Sequence, residues 1–205
     1  MKRSTRNPAK AKQEIIEKSA PIFNVHGYSG TKIQMLVEAT GYQAGGIYRH
    51  FTGKKDLAKA AFQYNYDLLV RQNLQTDPSL NPHEKVMIIF KNYRRNVFRP
   101  EIAGGCPILN TATEMDDTDE SFRQLTHSFM NEVTGIFKSI FEEGQQTGHF
   151  RSDIDPEKEA QFIFALIEGA ILMSNISKDG TLLGSLFDKA VHYYERDILM
   201  PRSKR

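Results

Sequence analysis

Apolar residues recur along most of the chain at the three- and four-residue spacing of amphipathic helices, whereas stretches that alternate with period two are few. The clearest apolar stripe runs from Phe122 to Phe141, and Gly144 and Gly148 are predicted to close that helix. The segment 162–176 is apolar on nearly every side, which predicts a helix that is buried on most sides. The pattern therefore predicts an all-α fold of about nine helices and no sheet.

Glycines and capping residues mark the ends of the first helices. The first helix is predicted from about Pro8 to His26, with Gly27 in the left-handed position that follows a helix end. Thr31, with Gln34 three residues later, has capping-box spacing, which predicts that a second helix begins at Thr31. A third, short helix is predicted over roughly 43–50.

Prolines mark the ends of the next two helices. The fourth helix follows Gly53 and is predicted to end at Asp77-Pro78. The next is predicted to begin at Asn81-Pro82, because a capping Asn, a Pro at the first position and Glu84 in the first turn are typical of a helix N-terminus. Arg99-Pro100 is predicted to end it.

The charge of the chain is unevenly distributed. Residues 1–60 contain 11 Lys and Arg against 4 Asp and Glu, a net charge of +7, while residues 61–205 contain 16 against 21, a net charge of −5. A basic head on an acidic body indicates a polyanionic partner for the head. On charge alone, a solvated charged surface is an equally good interpretation.

The composition limits the class of protein. A single cysteine, Cys106, allows neither an internal disulfide nor a cysteine-based zinc site, which favours a reducing, intracellular setting. The basic N-terminus is followed by no apolar run, so no secretory signal is predicted. We also expect no apolar stretch of the ~20 residues that a membrane helix needs. We expect a cytoplasmic protein that does not bind a membrane, a cofactor or a metal.

Residues 31–51 have the layout of a DNA-binding motif. A helix, a tight turn at Gly41-Tyr42 and a second helix form a helix-turn-helix, whose second helix lies in the DNA major groove. The runs Gly27–Ile33, Leu36–Gly41 and Gly45–Leu57 resemble the TetR family of bacterial transcription regulators in one unbroken, correctly spaced block.

This resemblance implies a DNA-binding regulator, usually a repressor, rather than an enzyme. It implies a DNA-binding domain over 8–56, with the motif at about 32–51, and an effector-binding and dimerisation domain over 57–200. Consistent with that class, the sequence contains no phosphate loop, no serine nucleophile elbow and no zinc-binding histidine pair.

Side chains in and around the motif are suited to holding DNA phosphates, which position a protein without reading the base sequence. Thr31 offers a hydroxyl and an amide at a predicted helix start, and Tyr48 offers a phenol. Lys54 or Lys55 can clamp a phosphate by charge. The resemblance implies the phosphate role for Tyr48 and an assisting role for His50. The predicted phosphate contacts are Thr31, Tyr48, His50, Lys54 and Lys55, and Lys32 is a further predicted DNA contact.

Base reading is predicted for the third helix. Gln43 is suited to adenine and Arg49 to guanine, whereas Ala44 can only touch a thymine methyl. Gly45 and Gly46 make this helix intrinsically poor, by ~1 kcal/mol each. Either they let the backbone approach the bases, which makes Gly46 a predicted contact, or the helix is stabilised only on docking.

The last two helices are predicted to form a dimer interface. In the family that the chain resembles, they pair with their copies in a four-helix bundle, and the two heads then reach successive major grooves about 34–36 Å apart on a palindromic operator. The alternative is that the apolar helix is the central core helix of a monomer. The predicted interface residues are Phe162, Leu166, Gly169, Ala170, Met173, Leu183, Phe187, Val191 and Tyr194.

A ligand pocket is implied by the same resemblance, since family members usually bind a small apolar molecule that releases the DNA. Aromatic residues at helical spacing are more often plain core, so the assignment of each one stays open. The predicted pocket residues are Tyr64, Phe90, Tyr93, Cys106, Phe122, Phe129 and Phe164.

Two alternatives to a ligand-responsive repressor remain. Cys106 stands at a predicted helix N-cap, where the helix dipole favours a reactive thiolate, so the chain could sense thiols or electrophiles. The other interpretation of Cys106 is a small buried residue. In a different class, the chain is a helical adaptor that uses its basic head for RNA or membranes.

Overall fold

The structure is a computed structural model that describes residues 7–96 and 103–200. Within these residues all regular secondary structure is helical, apart from one isolated antiparallel bridge between Phe150 and Leu199. The predicted all-α fold is confirmed, with nine helices in the described part of the chain. They are α1 (Pro8–Gly30), α2 (Ile33–Thr40), α3 (Ala44–Ile47), α4 (Lys54–Tyr66, continued by the π-helical stretch Asp67–Arg71 and by Gln72–Leu74), α5 (Pro82–Asn96), α6 (Pro107–Met115), α7 (Glu120–Gln146), α8 (Pro156–Ser177) and α9 (Gly180–Tyr193, continued by the π-helical stretch Tyr194–Ile198).

The described residues fall into two compact units. The first consists of 7–70 and 103–126, and the second consists of 71–96 and 127–200. The first unit therefore contains not only α1, α2 and α3 but also α6, which follows much later in the sequence.

The core of the first unit holds the helix-turn-helix in place. Ile15, Leu36, Ile47 and Leu57 come from α1, α2, α3 and α4 and are completely buried together. This burial removes apolar side chains of four helices from water, which is the main favourable contribution to their packing. Asn65 adds a polar link, because its Nδ2 donates to the Ala20 carbonyl oxygen at 2.9 Å and so ties α4 to α1.

The connection between α1 and α2 differs from the prediction. Gly27 has a φ of 68° and interrupts α1, as its predicted left-handed position requires, but the helical path resumes and continues to Gly30. The predicted capping box was wrong: α2 begins at Ile33, and Thr31 is fully buried before it. The Thr31 hydroxyl instead donates to the Gly27 carbonyl oxygen at 2.6 Å and thereby satisfies the end of α1, while Lys32 takes the N-cap position of α2.

The second unit confirms one predicted cap. The Glu84 amide donates to Asn81 Oδ1 and the Asn81 amide donates to Glu84 Oε2, both at 3.0 Å, so each residue satisfies a backbone donor of the other. The predicted end of this helix at Arg99-Pro100 lies outside the described residues.

Gly144 does not close α7, which continues to Gln146 before Gly148 at a φ of 73°. Its missing side chain is used for packing instead. A Cβ at Gly144 would overlap with the ring of Phe150, which is buried directly against the helix.

Helix α8 is buried on one face only within its own unit, so the prediction of burial on most sides was wrong for the single chain. Ile163, Ile167 and Ile171 are buried, in keeping with helical spacing. The opposite face leaves large apolar side chains exposed: Phe162 by 44%, Leu172 by 46%, Met173 by 49% and Ile176 by 74%.

By length and composition alone, α8 could also cross a membrane, which corrects the expectation that no apolar stretch is long enough. The cause is that its charges are confined to the first turn, 157–159, and to Glu168. A single helix of this kind is weak evidence for a membrane protein, because the core helix of a globular protein has the same character.

Candidate nucleic-acid interface

The turn between α2 and α3 has the geometry that a helix-turn-helix requires. Gly41 adopts a left-handed φ of 75° and its amide donates to the Val37 carbonyl oxygen, which ends α2. Tyr42 then packs half-buried, and its hydroxyl donates to Glu14 Oε2 at 3.0 Å. This contact joins the turn to α1.

Helix α3 is a single turn, Ala44–Ile47, and is shorter than the predicted 43–50. Residues 48–50 continue as turns, in which the His50 amide donates to the Ile47 carbonyl oxygen at 3.0 Å. The glycine pair explains the early end, because each glycine costs ~1 kcal/mol in a helix. The described residues leave room for a side chain there: a Cβ at Gly45 would meet none of them within 4 Å, and one at Gly46 would meet only Tyr42 at an ordinary 3.7 Å.

The predicted DNA contacts of this motif differ in their exposure. Gln43, Tyr48 and Arg49 are exposed, and within the described part of the chain their side chains make no hydrogen bond or ion pair. Such side chains have donors available for an external partner. Lys32 is likewise exposed, while Ala44, Gly46 and His50 are half-buried.

Thr31 is the predicted phosphate contact that the structure does not support. It has no exposed surface, and its hydroxyl is used by the Gly27 carbonyl oxygen. The side chain therefore stabilises the α1–α2 connection from inside and does not reach solvent. Lys32, the next residue, is the first exposed side chain of this segment.

The structure distinguishes Lys54 from Lys55, which the sequence alone left as equal candidates. Lys55 donates to both carboxylate oxygens of Asp119, at 2.8 and 2.6 Å, and this contact holds the pKa of Asp119 well below its usual range. Lys54 instead stands over the Tyr28 ring, 4.5 Å from its centroid. Partial burial lowers the pKa of Lys54, and the negative charge of Glu114 opposes that shift. The ion pair with Asp119 neutralises Lys55, which favours Lys54 as the predicted phosphate clamp.

The seven predicted pocket residues do not come together in one described cavity. Tyr64, Cys106 and Phe122 belong to the first unit, whereas the other four, Phe90, Tyr93, Phe129 and Phe164, are buried in the second. Among the described cavities, one of about 30 Å³ in the first unit has Phe122 in its lining. That volume holds about two water molecules, far less than the ~300 Å³ at which ligand pockets begin.

Cys106 takes its predicted place as the N-cap of α6, before Pro107. It is 6% exposed. Reactive cysteines are typically partly exposed, so this burial favours the interpretation as a small packed residue.

The predicted dimer residues divide into two groups. Ala170, Leu183, Phe187 and Tyr194 are buried inside their own unit, which corrects their assignment to the interface. Tyr194 shows why, since its hydroxyl lies 2.8 Å from His83 Nδ1 and its ring packs on Phe150. The residues that remain accessible are Phe162 and Met173, which are exposed, and Leu166, Gly169 and Val191, which are half-buried.

The sequence prediction missed two residues of this exposed face, Leu172 and Ile176. The signal was present: starting from Phe162, steps of three and four residues lead through Leu166 and Gly169 to both of them. Together, Phe162, Leu166, Gly169, Leu172, Met173 and Ile176 form what we call the α8 stripe.

A helical chain whose helix-turn-helix presents exposed side chains with hydrogen-bond donors is typical of DNA-binding transcription regulators. Two family models match it: bacterial regulatory proteins of the tetR family over residues 15–61, and the Tetracyclin repressor-like C-terminal domain over residues 82–190. The second match alone covers more than half of the 205 residues. The chain therefore belongs to the TetR family of bacterial transcription regulators, and the comparisons point to this family rather than to an enzyme.

Individual relatives agree with the family assignment. A TetR transcriptional regulator from Chloroflexus aurantiacus has a solved structure that is 31% identical, with a TM-score of 0.87 over 95% of this chain and 98% of that one. The HTH-type transcriptional repressor DhaR from Mycobacterium sp. is 28% identical over 82% of this chain and 84% of its own length. The regulator LmrA from Bacillus subtilis is 24% identical over 84% and 90%.

Proposed function

We propose that this regulator is a repressor that binds a palindromic operator as a homodimer and leaves it when a small molecule binds its C-terminal helices. The DNA-binding domain would span 8–56 and the effector-binding and dimerisation domain 57–200. The observation that carries the proposal is the exposed set Gln43, Tyr48 and Arg49 on a helix-turn-helix whose core is fully buried.

In this proposal the contacts to DNA fall into two classes. Lys32, Tyr48, His50 and Lys54 hold phosphates, and Thr31 supports them from inside. Base reading belongs to α3 and the residues beside it: Gln43 pairs with adenine, Arg49 pairs with guanine, and Ala44 and Gly46 lie close to the base edges.

The homodimer is supported by the α8 stripe. Large contiguous apolar patches on a soluble protein mark interaction sites, and this one runs along a helix at the spacing of a helix–helix contact. A two-fold axis through the stripe would bury the same residues of both subunits, which is the commonest form of oligomer. In that arrangement α8 pairs with its copy rather than with lipid, which agrees with a location in the cytoplasm.

Release by a small molecule is the part supported only by relatives. A putative transcriptional regulator from Saccharomonospora viridis, 20% identical and alike in fold, has a structure in complex with choline. DhaR is named as a repressor. In this chain the buried aromatic residues Phe90, Tyr93, Phe129 and Phe164 are the candidate lining of an effector site.

A selection of DNA duplexes from a random library tests the proposal directly. We expect one palindromic sequence, bound in fluorescence anisotropy much more tightly than a scrambled duplex, with an affinity that falls steeply between two salt concentrations as phosphate contacts demand. Equal affinity for both duplexes, or enrichment of no sequence at all, would contradict the proposed binding to a specific operator. Sedimentation of the complex gives the number of subunits per duplex.

A further inference from the structure

A carboxylate of α6 holds the segment that leads from α1 into α2. The Tyr28 amide donates to Glu114 Oε2 and the Ser29 amide donates to Glu114 Oε1, both at 2.7 Å. Hydrogen bonds to an ionised acceptor are about twice as strong as neutral ones. One side chain of α6 therefore binds two successive backbone amides of the head, which are more than 80 residues away in the sequence.

The backbone around this contact is adapted to it. Gly27 is left-handed, and a Cβ there would overlap with the Glu114 carboxylate. Glycine is needed at this position both for its φ and for the close approach of the carboxylate. Successive amides beside a left-handed residue form a concave site for an anion, and here Glu114 occupies it.

The other end of α6 is fixed to α1 as well. Asn24 Nδ2 donates to the carbonyl oxygens of Ala103 and Gly105, and Asn110 Nδ2 donates to those of Asn24 and Gly104. A Cβ at Gly104 would lie 2.6 Å from the Asn24 carbonyl oxygen, so this loop too lies close against α1. Helix α6 is therefore docked onto α1 by polar contacts near both of its ends. These contacts fix the position of the helix that carries Glu114.

The Glu114 contact lies at the base of the proposed phosphate contacts. Three residues beyond Ser29 comes Lys32, the exposed residue before α2. Lys54 lies over the ring of Tyr28, and the negative charge of Glu114 acts to raise the pKa of Lys54. The contact thus restricts the backbone that leads to Lys32. It also restricts Tyr28, whose ring lies beneath Lys54.

We propose that Glu114 is a positioning residue for operator binding: it orders the α1–α2 segment so that Lys32 and Lys54 meet the phosphates without a further loss of conformational freedom. This inference rests on the proposed function and deepens it. Binding pays for every group that it must order, so a segment ordered in advance increases affinity.

The variant Glu114→Gln separates positioning from electrostatics, because the two predict effects of opposite sign. Removing a negative charge near DNA should tighten binding to any duplex. Removing the positioning contact should weaken binding to the operator, because an amide cannot accept from both backbone donors through two oxygens. We expect about tenfold weaker operator binding and unchanged or tighter binding to a scrambled duplex. The matched control is Asp117→Asn, an exposed residue that loses the same charge nearby.

Amide exchange measured by NMR shows whether the contact itself is lost. In Glu114→Gln the Tyr28 and Ser29 amides should exchange faster, while the melting temperature and helical content show that the fold is kept. A second variant, Gly27→Ala, displaces the Glu114 carboxylate with an added Cβ. It should also give faster exchange of the Tyr28 and Ser29 amides and weaker operator binding, and it replaces Glu114→Gln if that variant does not fold.

The outcomes are distinct. Faster exchange together with undiminished operator affinity would overturn the positioning role, and so would an equal loss of affinity in Asp117→Asn. A wild-type protein that prefers no duplex would instead contradict the proposed function, and the exchange of Tyr28 and Ser29 would still report whether the contact exists.

Discussion

At the scale of single residues, two tyrosines of the helix-turn-helix have opposite surroundings. The Tyr42 hydroxyl donates to Glu14, whereas Tyr48 is 41% exposed and its side chain makes no hydrogen bond within the described residues. Tyr48→Phe should therefore weaken operator binding about tenfold, the magnitude of one hydrogen bond to a charged group, and change the free energy of unfolding by less than about 0.5 kcal/mol. Anisotropy titrations and urea unfolding measure the two quantities.

Tyr42→Phe is the control for that prediction. It should lower the free energy of unfolding by about 1 kcal/mol and leave the operator affinity nearly unchanged. If Tyr48→Phe lost stability instead of affinity, the exposed phenol would have no role in DNA binding.

The neighbouring lysines provide a second comparison. Lys54→Ala should remove one phosphate contact. The negative slope of log K against log salt should therefore become less steep by about 0.9. Lys55→Ala should leave that slope unchanged, because its ammonium group is bound by Asp119. Operator titrations at four salt concentrations give both slopes, and equal losses in the two variants would show that the ion pair opens on DNA.

At the scale of elements, α3 contains two glycines at which an added Cβ would not clash with any described residue. Gly45→Ala should raise the free energy of unfolding by about 0.5–1 kcal/mol, because alanine is the better helix former and the added Cβ meets open space. We expect operator affinity to fall nonetheless, since the methyl group would stand between the backbone and the bases.

Gly135→Ala is the matched control for the glycine. It also lies inside a helix, α7, with nothing within 4 Å of an added Cβ, so it should gain similar stability without any change in operator affinity. An increase in affinity for Gly45→Ala would mean that α3 is merely ordered on docking.

Which elements the sequence could predict depended on how far apart the interacting groups lie. The cap of α5 was predictable because Asn81 and Glu84 satisfy each other across three residues. The capping box at Thr31 was wrong because the Thr31 hydroxyl donates to the Gly27 carbonyl oxygen at the end of α1 instead of accepting from an amide of α2, and only the folded chain decides between these partners. The Glu114 contact had no signal at all, since residues more than 80 positions apart meet only after α6 has docked.

The candidate site was predicted in the same graded way. Exposure of Gln43, Tyr48 and Arg49 followed from the helical motif, because a short helix with Ile47 inside must turn its other side chains outward. The choice between Lys54 and Lys55 did not follow, because it depends on Asp119 at the start of another helix. Likewise, which side of α8 is exposed depends on the helices packed against it.

At the scale of the whole molecule, the uneven charge along the chain coincides with the proposed DNA contacts. All the proposed DNA contacts fall within residues 1–60, whose net charge is +7, and the remaining residues carry −5. A basic head attracts DNA and an acidic body repels it, so the charge favours encounters in which the head meets the duplex first. Oligomerisation then decides whether one head or two can bind.

The α8 stripe gives the last prediction. Ile176 is 74% exposed in the single subunit, so Ile176→Glu cannot disturb the core, but in a dimer it would bury a charge without a partner. We expect sedimentation velocity to show monomers with an unchanged melting transition, and operator affinity to fall by at least about 100-fold because the two heads no longer bind together. Val25→Glu, a similar change at a residue 50% exposed on α1, should stay dimeric. If Ile176→Glu also stayed dimeric at micromolar concentration, the subunits would have to associate through a face other than the α8 stripe.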